Sequence, residues 1–130
     1  MEKYFKINKI SDVGDDKWTL LSQEIKKGSL IIYPTDTVYG LGAIVTNEQS
    51  INNVYLAKSR SFTSPLIALL SSVDKVEEVA YVSDKNKELL DKLAKAFWPG
   101  ALTVILKRKE NIPSIMVSGG DTIGVRIPNL

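Results

Sequence analysis

The sequence lacks cysteine and histidine entirely among its 130 residues. These absences exclude disulfides, thiol nucleophiles, histidine general bases and the usual zinc sites. A large excess of positive or negative charge is also missing. The net charge is only +2, so no global field draws the chain to nucleic acid or to a membrane. No apolar run reaches bilayer length, about 18 residues, and none near the N-terminus has signal-peptide length. We therefore expect a cytoplasmic protein with a single domain over residues 1–130 and no membrane partner.

The spacing of apolar residues predicts helices that alternate with strands, which is typical of an α/β sheet. One helix is predicted to open with a capping box from Thr46 to Gln49 and to end near Lys58. The strand at 29–33 is a short continuous apolar run, so we expect it to be covered on both faces. A loop at 114–121 between two strands indicates that part of the sheet is antiparallel. The other predicted helices span 15–27, 73–80 and 83–97, and the other predicted strands span 4–10, 65–71, 101–107 and 122–127.

The segment YPTDTVYGLGA breaks an apolar run with polar residues and then resumes it. In open α/β sheets, ligands bind beyond the carboxyl ends of strands, where Thr35, Asp36 and Thr37 would lie. Their two hydroxyls and one carboxylate can hold a small polar ligand, and Gly40 and Gly42 permit close backbone approach. A polar turn in which the aspartate satisfies its own backbone explains the same residues equally well.

Three cations occur at places where a ligand could be held. Lys58 and Arg60 follow a predicted helix and can donate charge-assisted hydrogen bonds to phosphate or carboxylate. They can also act as partners of the helix dipole, which is the commoner role. Arg126 shares one face of an alternating strand with Gly124, where it either lines a cleft or protects a sheet edge.

In the segment FWPGALT, only Thr103 offers polar chemistry. The adjacent acidic pairs point apart on their predicted helices, so we predict no protein metal site.

Four segments carry a family resemblance: YPTDTVYGLGA, KSR followed by SPLIALL, FWPGALTVIL, and GVRIPN, in this order. Together they resemble the YrdC-like family, the threonylcarbamoyl-AMP synthases, over roughly residues 15 to 130. The resemblance implies a twisted open mixed sheet with flanking helices and a concave basic face. It implies synthesis of threonylcarbamoyl adenylate from L-threonine, bicarbonate and ATP, with release of pyrophosphate. The product serves the t6A37 modification of transfer RNA. The resemblance also implies binding of transfer RNA or double-stranded RNA and contact with other tRNA-modification proteins.

Site residues follow from the resemblance position by position. Thr35 and Gly124 are expected to contact threonine. The residues expected to hold ATP phosphates and the carbamate are Lys58, Arg60, Thr103 and Arg126. Ser64 is a further candidate for the site, and Asp36 could assist in holding magnesium. We expect these groups to converge on one anion-binding hollow. Magnesium would enter with ATP, held mainly by phosphate oxygens and water.

This chemistry needs no histidine or cysteine. Attack of a carbamate on a phosphate joins two anions, so the protein must align the reactants and neutralise charge, which clustered Lys and Arg can do. Two departures from the family pattern stand out: Ser61 replaces the usual proline, and the chain stops at VRIPNL, where relatives continue. A sheet shortened in this way would expose an edge through which the chain could form oligomers. The alternative function is a non-catalytic module that binds nucleotide or double-stranded RNA.

Overall fold

The computed structural model of the protein describes residues 10–129. The predicted strand at 4–10 lies outside this range except for Ile10, which begins a short 3-10 helix. The α-helices are α1 (Asp15–Lys26), α2 (Glu48–Ala57), α3 (Val76–Val79) and α4 (Asp84–Phe97). The strands are β1 (Ile31–Tyr33), β2 (Gly40–Gly42), β3 (Ile67–Leu69), β4 (Ala80–Tyr81), β5 (Val104–Arg108) and β6 (Thr122–Arg126). Further 3-10 helices span Val73–Lys75 and Ser114–Val117.

Four strands form a mixed sheet in the order β3-β6-β5-β4. Strand β3 runs parallel to β6, whereas β6 with β5 and β5 with β4 are antiparallel. This confirms the predicted mixed α/β sheet. Strands β1 and β2 form a separate antiparallel hairpin, in which Tyr33 pairs with Gly40 and Ile31 pairs with Gly42.

The core lies against one face of the four-stranded sheet and includes residues of α2, α3 and α4. Because side chains alternate along a strand, Ala68, Ile123 and Val125 point into this core. The helical and loop residues buried against them include Ile51, Tyr55, Val76, Val79, Leu90, Ile112, Met116 and Val117. On the opposite face, Ile67 is 44% exposed and Ile105 is 63% exposed. We call this uncovered side, defined by Ile67, Gly124 and Ile105, the open face.

Strand β1 is not covered on both faces, contrary to the prediction, because the side chain of Ile32 is 76% exposed. Within residues 10–129 the strand pairs only with β2. The ring of Tyr33 instead packs across the hairpin. A Cβ atom at Gly42 would lie 2.7 Å from a Tyr33 ring carbon, and one at Gly40 would lie 2.9 Å away. Only glycine leaves room for the ring at both positions, so the two glycines serve packing within the hairpin.

Several local boundaries differ from the prediction: β3 is shorter than the predicted 65–71 and β5 begins later than the predicted 101, and α2 and β4 differ as well. Helix α2 begins one residue later than the capping box implied, and its cap is Asn47, whose side chain accepts a hydrogen bond from the Ser50 amide at 3.0 Å. The amide of Gln49 bonds Asn53 at 3.1 Å, within the helix. The end of the predicted helix at 73–80 is strand β4, because Ala80 and Tyr81 pair with β5. Within residues 10–129, no helix has the length and apolarity needed to cross a membrane.

Candidate active site on the open sheet face

The loop between β1 and β2 is closed by its own threonines. The Thr35 hydroxyl donates to the Val38 carbonyl at 2.6 Å and accepts from the Thr37 amide at 3.2 Å. The predicted turn, in which a side chain bonds the backbone of its own loop, is therefore present, but the side chain is that of Thr35 rather than Asp36. With its proton committed to Val38, the Thr35 hydroxyl also accepts from the Thr37 hydroxyl, which lies 3.1 Å away. Its donor and both acceptor positions are therefore engaged, and it can bind a ligand only if the loop rearranges.

Asp36 reaches out of this loop to the end of β6, where its carboxylate accepts a hydrogen bond from Nη2 of Arg126 in an ion pair. Both side chains are largely shielded, at 20% exposure for Asp36 and 12% for Arg126. The Arg126 Nε donates to the carbonyl of Gly100 at 2.8 Å, in the turn after α4. One guanidinium thus joins three segments that are distant in sequence. Sequence analysis named Asp36 and Arg126 as candidates but missed Gly100, whose contribution is a backbone carbonyl.

Gly124 and Thr103 are neighbours on the open face. A Cβ atom at Gly124 would lie 3.1 Å from Cγ2 of Thr103 and 3.0 Å from Cγ2 of Ile67. Arg126 follows Gly124 by two residues on β6, so its side chain leaves the sheet on the same side. The open face therefore gathers Gly124, Thr103 and Arg126, and Gly124 itself is buried beneath the side chains of its neighbours.

Lys58 and Arg60 lie beyond the end of α2. Lys58 is exposed and its backbone caps the helix, bonding to the Val54 carbonyl at 3.1 Å. The Arg60 guanidinium donates to the carbonyls of Ser64 and Pro65, each at 3.1 Å. Arg60 therefore closes the loop that leads into β3 instead of acting on the helix end. The Ser64 contribution is a carbonyl, which the side-chain prediction did not anticipate.

The candidate residues flank the open face at two ends. In the parallel pair, Ile67 lies opposite Gly124 and Leu69 lies opposite Arg126. Arg60 binds the chain just before β3, and Arg126 lies at the other end of the same pair. At about 3.3 Å per residue, Pro65 and Leu69 are roughly 13 Å apart along the strand. Within residues 10–129, no hydrogen bond or ion pair joins Lys58 or Arg60 to Arg126, and the Arg60 and Arg126 guanidiniums are held at opposite ends of this strand pair.

Strand β4 adds an aromatic group at the far side of the open face. Tyr81 is 44% exposed, and its hydroxyl donates to the Glu110 carboxylate at 2.5 Å. This hydrogen bond raises the pKa of Tyr81 and lowers the pKa of Glu110. The ammonium of Lys107 lies 5.7 Å and that of Lys109 5.3 Å from the ring centroid. Both distances are within the range of cation–π attraction, so this end of the face is basic and aromatic.

No group of three or more acidic, histidine or cysteine side chains with the arrangement of a metal site occurs in the described part of the chain.

Comparison with known proteins finds a family model that matches residues 23–130: Sua5_yciO_yrdC, described as telomere recombination. A Methanocaldococcus jannaschii protein provisionally named threonylcarbamoyl-AMP synthase is 39% identical over 128 residues, which is 95% of this chain and 59% of that protein. The threonylcarbamoyl-AMP synthase of Pyrococcus abyssi is 39% identical over 104 residues, or 80% of this chain and 30% of that protein.

Among solved structures, Pyrococcus abyssi Sua5 in complex with L-threonine has a TM-score of 0.81 and 36% identity, covering 91% of this chain and 34% of that one. The chain therefore spans between 30% and 59% of the length of these proteins. The family model accounts for most of the sequence, and the fold agrees with a solved member. The chain belongs to the Sua5/YciO/YrdC family.

Proposed function

We propose that the chain holds ATP and L-threonine on its open face as part of a threonylcarbamoyl-AMP synthase. Relatives at 39% identity carry that name, and a similar solved structure was determined with L-threonine bound. The reaction would join L-threonine, bicarbonate and ATP into threonylcarbamoyl adenylate and release pyrophosphate. The product would serve the t6A37 modification of transfer RNA in the cytoplasm.

One observation carries this proposal: Arg126 ties together three of the four segments in which site residues were predicted. Its guanidinium contacts Asp36 of the hairpin loop and Gly100 of the turn before Thr103, while Gly124 lies two residues away on its own strand. Segments separated by tens of residues thus meet at the carboxyl ends of β3 and β6. Ligands of open α/β sheets bind at such strand ends.

The reaction requires alignment and charge neutralisation. Bicarbonate would add to the amine of threonine with loss of water to give a carbamate. A carbamate oxygen would then attack the α-phosphorus of ATP, forming one P–O bond as the bond to pyrophosphate breaks. Thr35 and Gly124 would place threonine, while Thr103 and Arg126 would hold the nucleotide end of the face. Lys58 and Arg60 would offset charge on the phosphates and the carbamate from the opposite end. ATP would bring magnesium with it. The span of roughly 13 Å between the two ends suits an elongated substrate pair rather than a small ion.

The test is to incubate the protein with ATP, bicarbonate and magnesium, with and without L-threonine, and to measure pyrophosphate. We expect release that depends on threonine. Replacement of Lys58 by Ala should lower the rate about tenfold or more, because one charge-assisted contact to phosphate is worth about 1.5–3 kcal/mol. Lys58 is the sharper choice than Arg60, because its side chain makes no hydrogen bond or ion pair within the described residues and can be removed without opening a loop.

The matched control is Lys85→Ala, which removes an exposed lysine from α4 on the other side of the sheet and should leave the rate unchanged. Threonine-independent release, or equal rates for Lys58→Ala and the unmodified protein, would contradict the proposed arrangement. ATP binding without any turnover would instead favour the alternative, a non-catalytic nucleotide-binding or RNA-binding module. In that case affinity for double-stranded RNA should fall steeply as salt is raised.

A further inference from the structure

We propose that Asp36 is a positioning residue that orients the Arg126 guanidinium toward a phosphate-bearing ligand on the open face. The two residues are separated by 90 positions in sequence, yet their side chains form an ion pair that is mostly shielded from solvent. This inference rests on the proposed function for the chemical class of the ligand. It assigns Asp36 a role other than binding metal or substrate.

The geometry of the guanidinium supports this assignment. Arg126 uses Nε for the Gly100 carbonyl and Nη2 for the Asp36 carboxylate. These two contacts fix the plane of the group. Of the five N–H donors, these contacts use two, so within the described residues both N–H groups of Nη1 and the second N–H of Nη2 are left for a ligand. Planar guanidinium groups bind phosphate through donors held in fixed directions, and a lysine here could not satisfy both acceptors in the same way.

The hairpin loop that carries Asp36 is held by its own hydrogen bonds. These run from the Thr35 hydroxyl to the Val38 carbonyl and from the Thr37 amide to the Thr35 hydroxyl. On the other side, the Gly100 amide donates to the Ile127 carbonyl at 2.8 Å, which holds the turn against the end of β6. Both acceptors of the arginine therefore belong to backbone segments that are fixed independently. A partly buried guanidinium also needs a counter-charge, and Asp36 supplies it.

The proposal predicts an effect opposite in sign to simple electrostatics. Removing Asp36 raises the net charge by one, and a more positive protein should attract ATP more strongly if only the long-range field matters. Loss of positioning should weaken ATP binding instead. We expect Asp36→Ala to weaken ATP binding about tenfold by isothermal titration calorimetry, since a shielded charge-assisted contact is then misdirected. Binding of adenosine, which lacks phosphate, should change less than about twofold.

Two comparisons complete the experiment. In an Arg126→Ala background, Asp36→Ala should cause no further loss of ATP affinity, because there is no guanidinium left to orient. Asp36→Asn, which keeps an oxygen acceptor but not the charge, should fall between the unmodified protein and the alanine variant; it serves as the test variant if the alanine variant does not fold. Asp91→Asn in α4 is the matched surface control and should leave both affinities unchanged.

The inference is overturned by unchanged or tighter ATP binding in Asp36→Ala, or by an equal loss for ATP and adenosine, which would make Asp36 only a tether for the hairpin. It is also overturned if the unmodified protein does not bind ATP, or if the loss is the same with and without Arg126. Absence of threonine-dependent pyrophosphate release from a protein that binds ATP and shows the expected coupling would count against the proposed reaction alone.

Discussion

Replacing Tyr55 by Phe tests how α2 is fixed beneath the site. Tyr55 is fully buried, and its hydroxyl donates to the carbonyls of Ile115 at 3.1 Å and Met116 at 3.3 Å. Both carbonyls keep another donor in the variant, because Met116 also accepts from Leu66 at 2.8 Å and Ile115 from Ser118 at 3.3 Å. No buried acceptor is left without a partner. The loss should therefore be the net value of one hydrogen bond, about 1 kcal/mol in the free energy of unfolding.

Urea denaturation followed by circular dichroism measures this change, and the slope of free energy against urea should stay constant. The melting temperature should fall by about 4 °C for a chain of this length. Tyr39→Phe is the matched control: Tyr39 is 76% exposed, its hydroxyl has no hydrogen bond within the described residues, and its loss should change stability by less than about 0.5 kcal/mol. A loss above about 3 kcal/mol would show that a carbonyl had been orphaned and would refute the reasoning.

Three further predictions follow from single contacts. Asn47→Ala removes the cap of α2 and should lower the free energy of unfolding by about 1 kcal/mol, measured by urea denaturation. Gly42→Ala places a Cβ atom 2.7 Å from the Tyr33 ring, so the ring must move, and amide hydrogen exchange in the hairpin should become faster. Tyr81→Phe removes the hydrogen bond that lowers the pKa of Glu110, so the carboxyl titration followed by carbon NMR should shift to higher pH.

Linkage gives the direction in which the contribution of Glu110 to folding stability changes with pH. A carboxyl whose pKa is lowered in the folded state contributes stability above its unfolded pKa, and this contribution disappears as pH falls through the lower folded value. An unchanged Glu110 titration in Tyr81→Phe would mean that the tyrosine is not the main cause of the lowered Glu110 pKa.

For the other two variants, unchanged stability of Asn47→Ala or unchanged hairpin exchange in Gly42→Ala would contradict the contacts described. Gly14→Ala, where a Cβ atom meets nothing within 4 Å, is the control for hairpin exchange.

Elements with strong local periodicity were predicted closely. Helix α4 was expected at 83–97 and lies at Asp84–Phe97, and β6 was expected at 122–127 and lies at Thr122–Arg126. In both, the spacing of apolar residues repeats with the period of the element itself, so a single segment carries the information. The family resemblance was also readable from four short segments, and the family-model match confirms it.

Pairing partners were not readable in this way. The apolar run before Pro34 does not indicate whether it will pair with one strand or with two. Within residues 10–129 it pairs only with β2, which begins and ends with glycine. Strand β4 has two residues, too few to establish a period. The roles within the polar loop were also assigned differently by the fold: Thr35 closes the turn, while Asp36 reaches a partner 90 residues away.

The amino-acid sequence by itself determined the alternation of helices and strands, the family, and which residue types are available for binding anions. Only the tertiary structure decided that helices cover one face of the sheet and that Arg126 is held by Asp36 and Gly100. It also decided that the Arg60 guanidinium is bound to the chain just before β3, at the other end from Arg126. The reason is physical: periodicity and capping act over a few neighbouring residues, whereas strand partners and ion pairs depend on how distant segments pack together.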